Sequence, residues 1–335
     1  MIDLHLHLDG SLSPDEVLDL AIHSGITLPQ KDAASLRPLL MVEPDCRNLG
    51  EYLQKFDLPL LVLQTEETLS LSVAYLVKRL ASQGLCYAEI RFAPQLHLVR
   101  GLTQQQVVAA AVDGLQKGIA ASDMPAQLIL CCMRGVDNLD ANLETVRVAS
   151  TFLGNGVCAI DLAGNEAAYP TKDFAPVFSL AKELNVPYII HAGEAAGPES
   201  VWEALALGAK RIGHGIHSIA DAALLKLLAQ NRIPLETCFT SNLQTKAVDK
   251  SEDYPLAAFL GQGIPATINT DNMTVSGTDL HREYTLLHQC GYPVDTLQAI
   301  ACNAADAAFL PVEQAAKLKS QIAQRFPQWL HSKSK

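Results

Sequence analysis

The chain has 335 residues, 49% of them hydrophobic and 18% charged, which is enough apolar material for a large core of the kind single α/β barrels bury. Its 36 acidic and 25 basic residues give a formal net charge of −11, and no cluster of Lys and Arg reverses that locally, which argues against nucleic acid as a partner. No apolar run is long enough to span a bilayer.

The first element reads as a strand carrying His5-Leu6-His7-Leu8-Asp9-Gly10. His5 and His7 leave one face, with Asp9 next on it, while Leu4, Leu6 and Leu8 occupy the other, so both faces are expected to be buried. Gly10 would let the backbone turn. Two buried imidazoles need partners, either a divalent metal, of which they would form half a site, or hydrogen-bonding groups in the core. Ser13-Pro14-Asp15-Glu16 follows as a helix start with a capping box. Residues from about 24 to 85 carry mainly helical patterns, punctuated by Pro29, Pro38, Pro44 and Pro59 and closed by the run Val73–Leu80 with its stop at Gly84. This stretch reads as a helical insertion, a wall or lid over a site, within a single domain spanning 1–335.

An alternation then sets in. Strands are expected at Cys86–Pro94, Leu128–Met133, Val157–Leu162, Tyr188–His191, Arg211–Ile216, Pro234–Cys238 and Ala266–Thr270. Between them lie a helix opened by Thr103 and Gln106, one from about Asn138 to Phe152, one carrying Phe174 to Leu184, and others at Pro198–Leu207, 221–230 and 255–261. The remainder, about 278 to 330, is helical and ends in a basic Ser-Lys tail. With the opening strand there are eight strands, nearly all followed by helices, which predicts an α/β fold: a (β/α)8 TIM barrel with a helical elaboration after strand 1 and extra C-terminal helices. The eight cysteines do not suggest disulfides: Cys86, Cys131, Cys132, Cys158, Cys238 and Cys302 sit in apolar runs, and there is no Cys-x-x-Cys. The chain opens without a basic region or signal-peptide core, so a reducing, cytoplasmic setting is expected.

Active-site groups of such barrels stand at the C-terminal ends of strands. His191 ends the fifth strand in His191-Ala192-Gly193-Glu194, His214 the sixth in Arg211-Ile212-Gly213-His214-Gly215, and Asp271 the eighth in Asn269-Thr270-Asp271-Asn272. Singly, each is an ordinary hydrogen-bonded strand-end residue. Jointly, His5, His7, His191 and Asp271 would point into one volume, and three imidazoles with one carboxylate suit a catalytic zinc. Zinc lowers the pKa of bound water from about 15.7 to about 7. Glu194 and His214 are the remaining titratable candidates for moving protons, although Glu194 could equally be a salt-bridge or helix-cap carboxylate. Spacing reaches metal-assisted hydrolysis and stops short of a substrate.

At these residues the sequence resembles the adenosine deaminase family of the amidohydrolase superfamily. The matching segments are His5–Leu12, Arg91–Pro94, Asp161–Gly164, His191–Glu194, Arg211–Gly215, Thr240-Ser241-Asn242 and Asn269–Asp271, in family order. The His-x-Glu and Pro-Cys-x-x-Cys signature of cytidine-type deaminases is absent. The resemblance implies one Zn2+ per chain held by His5, His7, His191 and Asp271, and a purine nucleoside as partner. It implies that Glu194 protonates purine N1, and that His214 with Asp271 orients the attacking water, accepts its proton and stabilises the oxygen charge at C6, adenosine giving inosine and ammonia. His7 would also border the substrate, Asp9 would accept from the ribose, and the Gly164 N–H would reach N3. Three positions depart from the family pattern: Asn272 replaces a second Asp facing N7, Phe239 replaces a Pro before Thr240, and Asn165 replaces an Asp. Asn272 could donate to N7 without borrowing a proton, a neutral contact of ~0.5–1.5 kcal/mol where a charged one gives ~1.5–3. A rival is an adenine or modified-adenosine deaminase; adenine-specific relatives tend to carry Glu where this chain has the shorter Asp9. A second is another barrel hydrolase with a carboxylated Lys between two metals, but no Lys ends a strand, Lys246 and Lys250 lying in a loop. A non-catalytic binding protein on the same barrel is the third.

Overall fold

The computed structural model describes residues 1–43 and 46–332; Pro44 and the last three residues of the basic tail lie outside them. Eight parallel strands form the centre: β1 Ile2–His7, β2 Tyr87–Phe92, β3 Ala126–Met133, β4 Val157–Ala163, β5 Ile189–Ala192, β6 Arg211–His214, β7 Leu235–Thr237 and β8 Ala266–Ile268. Ladders join β1 through β4 and β5 through β8 in sequence order. Two bridges, Ile160 to Tyr188 and Leu6 to Asp271, close the two ladders into a ring. The fold is therefore the expected (β/α)8 barrel.

Alternation along the strands separates two environments. Leu4, Leu6, Ile90 and Ile212 are wholly buried in the apolar core beneath the helices. The intervening positions face the barrel interior and are charged: on β2, Glu89 and Arg91 alternate with Ala88, Ile90 and Phe92, and both charged residues are fully buried. The interior is thus a polar shaft, and every charge in it requires a partner.

Local signals read from the sequence are realised where the chemistry is local. Ser13 caps the helix Pro14–Ser24 by accepting from Glu16 N (3.2 Å), and Glu16 reciprocates on Ser13 N (2.7 Å). Thr103 and Gln106 form a second capping box on Gln104–Ser122. Other expectations need correction. β1 ends at His7, and Leu8–Ser11 form a helical turn, so Asp9 is not on the strand. The helical stretch from about 24 breaks into Ala33–Leu40, Leu49–Leu53, Asp57–Val62 and Glu66–Ser82 after Gly25, whose φ of 67° stops the preceding helix. Pro38 and Pro59 lie inside two of these helices and do not punctuate them. β8 stops at Ile268, and the following turn puts Asp271 at φ 59°.

The helix Leu280–Gln289 braces the loop after β7 from outside. Its fully buried Glu283 accepts from Thr240 N (3.0 Å), from Thr240 Oγ1 and from Thr278 Oγ1 (2.5 Å), fixing the segment that bears Ser241 and Asn242. Burial pushes this carboxyl up to about 7 from an ordinary value near 4.5. The folded chain then retains a proton that the unfolded chain releases, so stability is full below about pH 4.5 and declines as pH rises towards 7. Removing this slope with Glu283→Gln should flatten the fall in unfolding free energy between pH 5 and 7 by roughly 1–3 kcal/mol, measured by denaturant titration at each pH; an unchanged slope would assign the titration elsewhere.

Candidate active site

The C-terminal mouth of the barrel gathers five side chains from four strands. His5 and His7 come from β1, His191 from β5, His214 from β6, and Asp271 follows β8. The His5 ring lies 4.5 Å from that of His191, 4.7 Å from His214 and 5.6 Å from His7. Each of two histidines has one nitrogen committed to a buried carboxylate: His5 Nδ1 is 2.9 Å from Glu236 Oε2, and His191 Nδ1 is 2.8 Å from Asp161 Oδ2. That leaves their Nε2 atoms for the mouth, and His5 Nε2 is buried without a hydrogen-bond partner. Asp271 Oδ2 accepts from Ser241 Oγ (2.6 Å), while Oδ1 sits 3.5 Å from His5 Nε2 and 3.4 Å from His7 Nε2. Burial works against this carboxylate, but the His5 imidazole beside it outweighs burial and holds its pKa well down. Imidazoles backed by carboxylates, converging with a carboxylate oxygen, form the donor set of a divalent metal centre.

The tightest group of donor atoms comprises His5, His191, His214 and Asp271, all within 4.8 Å of one another, and so includes His214 in place of His7. Hydrogen bonding separates their roles. Asn242 Oδ1 accepts from Cys238 N (3.2 Å) and Tyr254 OH (3.1 Å), which orients its amide to donate to His214 Nδ1 at 3.0 Å. Burial, then His5, pushes the His214 pKa well down, so the ring is neutral. With Nδ1 accepting, its proton is on Nε2, and that nitrogen has no lone pair for a cation. His214 Nε2 instead faces Glu194 Oε2 at 3.5 Å. The other Glu194 oxygen accepts from Thr245 Oγ1 (3.1 Å). Burial, then the charges of Asp271 and Glu166, push the Glu194 carboxyl well above its usual range, so a neutral acid stands beside an ionised carboxylate.

His7, His191, Glu194, His214 and Asp271 line one cavity, together with Asp9, Gly164 and Asn272. Burial raises Asp9 to about 6. Gly164 ends β4 at φ 107°, presenting backbone to the cavity. Gly10 is needed for space: its φ is ordinary, but a Cβ there would lie 2.0 Å from Asn272 Oδ1. The helices after β1 supply an apolar wall of Leu49, Leu53, Phe56 and Leu60, and Tyr52 OH ties it to Ser276 Oγ at 2.6 Å. The insertion is therefore a wall over the site, as its position in the sequence suggested.

Comparison with known proteins agrees with this geometry. A sequence model of the family described as Adenosine deaminase matches residues 1–325. Adenosine deaminase of Haemophilus ducreyi is 50% identical over 333 residues, covering 98% of this chain and 97% of that one. Among solved structures, adenine deaminase from Arthrobacter aurescens superposes with a TM-score of 0.87 at 28% identity, covering 96% of this chain and 98% of that one. The N6-methyl-AMP deaminase from Arabidopsis thaliana gives 0.83 at 25% identity, covering 98% and 97%.

Several groups that hold the site were given no role from the sequence, although Arg91, Asp161 and Arg211 open segments that match the family. Arg91 bridges the two carboxylates behind the histidines, donating to Asp161 Oδ2 (2.7 Å) and Glu236 Oε2 (2.8 Å). Arg211 pairs with Glu89 and Glu236 at 2.6 Å each. Two cations thereby hold Glu236 ionised against the effect of burial. The available signal was a lone charge inside an apolar strand, as at Asp161 in Val157–Ala163. Asp161→Asn preserves shape but removes the charge behind His191, so affinity for a divalent cation should fall by roughly 10–100-fold, measured by chelator competition on the folded chain. An unaltered affinity would show that His191 is not a ligand.

Proposed function

The chain belongs to the adenosine deaminase family, and we propose that it hydrolyses adenosine, and 2′-deoxyadenosine, to inosine or deoxyinosine and ammonia with one zinc ion per chain. The observation that carries this reading is the convergence of a neutral, buried Glu194 with a metal-type donor cluster at one barrel mouth. The setting we infer is purine salvage in the cytoplasm, with 1–335 acting as one catalytic domain. Among the described residues, no helix is long and apolar enough to cross a membrane.

His5, His7, His191 and Asp271 would hold the metal. When bound, zinc supplies Lewis-acid chemistry and makes water acidic enough to react at neutral pH. The residues supply the rest. Glu194 donates its proton to purine N1, which removes ring aromaticity and leaves C6 electrophilic. His214 donates from Nε2 to the oxygen that adds at C6, stabilising the charge developing there. Because that ring already bears its proton on Nε2, the proton of the attacking water falls to the Asp271 carboxylate, a narrower role for His214 than the family resemblance implied. Asp9 accepts from a ribose hydroxyl, the Gly164 N–H meets N3, and the Asn272 amide donates to N7, with His7 along the same wall. The apolar helices exclude bulk water from the proton transfers.

The charge of the cavity favours a nucleoside. Its described lining contains no Lys or Arg to pair with a phosphate, while Asp9, Asp57 and Asp271 are acidic. Asp9 stops short enough to leave room for ribose, which sets adenosine above the free base.

Loss of adenosine absorbance is the direct assay. Turnover should vanish with a zinc chelator and return with one equivalent of zinc per chain; two equivalents would favour a binuclear hydrolase. Glu194→Gln should lower kcat by about 10²–10⁴-fold, and full turnover in that variant would remove Glu194 as the acid. Adenosine should exceed adenine and AMP in kcat/KM by at least tenfold, and a preference for either alternative would reassign the substrate.

A further inference from the structure

Glu166 lies just beyond β4, is 3% exposed, and is not among the residues that face the cavity. Both of its carboxylate oxygens are occupied by the backbone of one turn. Oε1 accepts from Gly193 N at 2.6 Å, and Oε2 accepts from Glu194 N (2.9 Å), Ala195 N (2.7 Å) and Ala196 N (3.1 Å). Four consecutive amides aimed at one point form a backbone nest, and here the anion in it belongs to the chain itself. Gly193 at φ 71° makes this curl of the backbone possible. Hydrogen bonds to an ionised acceptor are roughly twice as strong as neutral ones.

The turn is held from its other side as well. Arg134 donates to His191 O (2.7 Å), Thr171 Oγ1 (2.9 Å) and Tyr169 O (2.6 Å). The segment from His191 to Ala196 is thereby clamped between a cation on its carbonyl and an anion on its amides. Glu194 is fixed at both ends: its backbone by Glu166, its carboxyl by Thr245.

We propose that Glu166 is a positioning residue for the deamination, its carboxylate holding the Gly193–Ala196 turn so that the Glu194 carboxyl meets the purine ring. This rests on the reading of Glu194 as the acid. Glu166 is not part of the cavity lining and its carboxylate accepts from the backbone of 193–196, so its effect on rate passes through the turn that carries Glu194. A glutamine at 166 cannot satisfy four N–H donors, because in either orientation its NH2 faces at least one of them.

The test is a double-mutant cycle on the zinc-loaded full chain, with Glu166→Gln, Glu194→Gln and the pair, together with amide hydrogen exchange. Glu166→Gln should speed exchange at residues 193–196 selectively and lower kcat at least tenfold, with KM within threefold and metal content unchanged. In the Glu194→Gln background the same substitution should cost less than twofold, since the group it serves is gone. A full tenfold loss in that background, or wild-type kcat despite faster exchange, would overturn the proposal. Full turnover in Glu194→Gln alone would instead overturn the acid on which it rests. If Glu166→Gln does not fold, Glu166→Asp, which keeps the charge but shortens the reach, takes its place in the cycle with the same selective pattern expected at smaller size.

Discussion

The structure depends on the seam where the barrel closes. β8 is tied back to β1 by two backbone hydrogen bonds on one residue: His7 N donates to Asp271 O at 2.7 Å, and Asp271 N donates to His5 O at 2.8 Å. The residue that completes the ring therefore also carries the carboxylate of the active centre. Its flanking partners on β1 are the two histidines. Closure of the fold and assembly of the site are one event, because neither set of side chains can converge until the first and last strands have met.

Behind that seam lies an unusual interior for a barrel of this class, where layers of branched apolar side chains are the norm. Glu89, Asp161 and Glu236 are opposed by Arg91 and Arg211 in an environment with no access to water. The ionised Asp271 adds a buried carboxylate that pairs with neither guanidinium group. Uncompensated buried charge is costly, and a divalent cation at the mouth restores the balance. Glu194 stays protonated because it is buried and lies near the Asp271 and Glu166 charges.

Much of this was legible in the amino-acid order because the signals were local. Strand and helix alternation gave the barrel, the spacing of His5 and His7 put both on one strand face, and strand-end placement singled out His191, His214 and Asp271 without any coordinates. What escaped depends on partners far apart in the chain. Glu236 matters because it meets His5, 231 residues away, and Glu166 because four amides converge on it from the start of another loop. The direction in which His214 presents its proton follows from Asn242, which Cys238 and Tyr254 orient in turn. Pattern could place that imidazole at the mouth but could not tell a donor from an acceptor. Gly10 was read only in part: the chain does turn at Leu8–Ser11, but with an ordinary φ the glycine is needed for the room it leaves a neighbour 262 positions on.

That last contact ties the two termini of the barrel together sterically. Residue 10 belongs to the chain's first turn after β1, and residue 272 to the loop after β8 that lines the cavity, with less than a methyl group of room between them. A bulkier group on the nucleobase side cannot be accommodated by drift at 272 alone, and the opening loop cannot gain a side chain unless 272 loses one. The shape of the cavity wall at 272 and that of the N-terminal turn are thus sterically coupled, so that a side chain added at one position requires the other to give way.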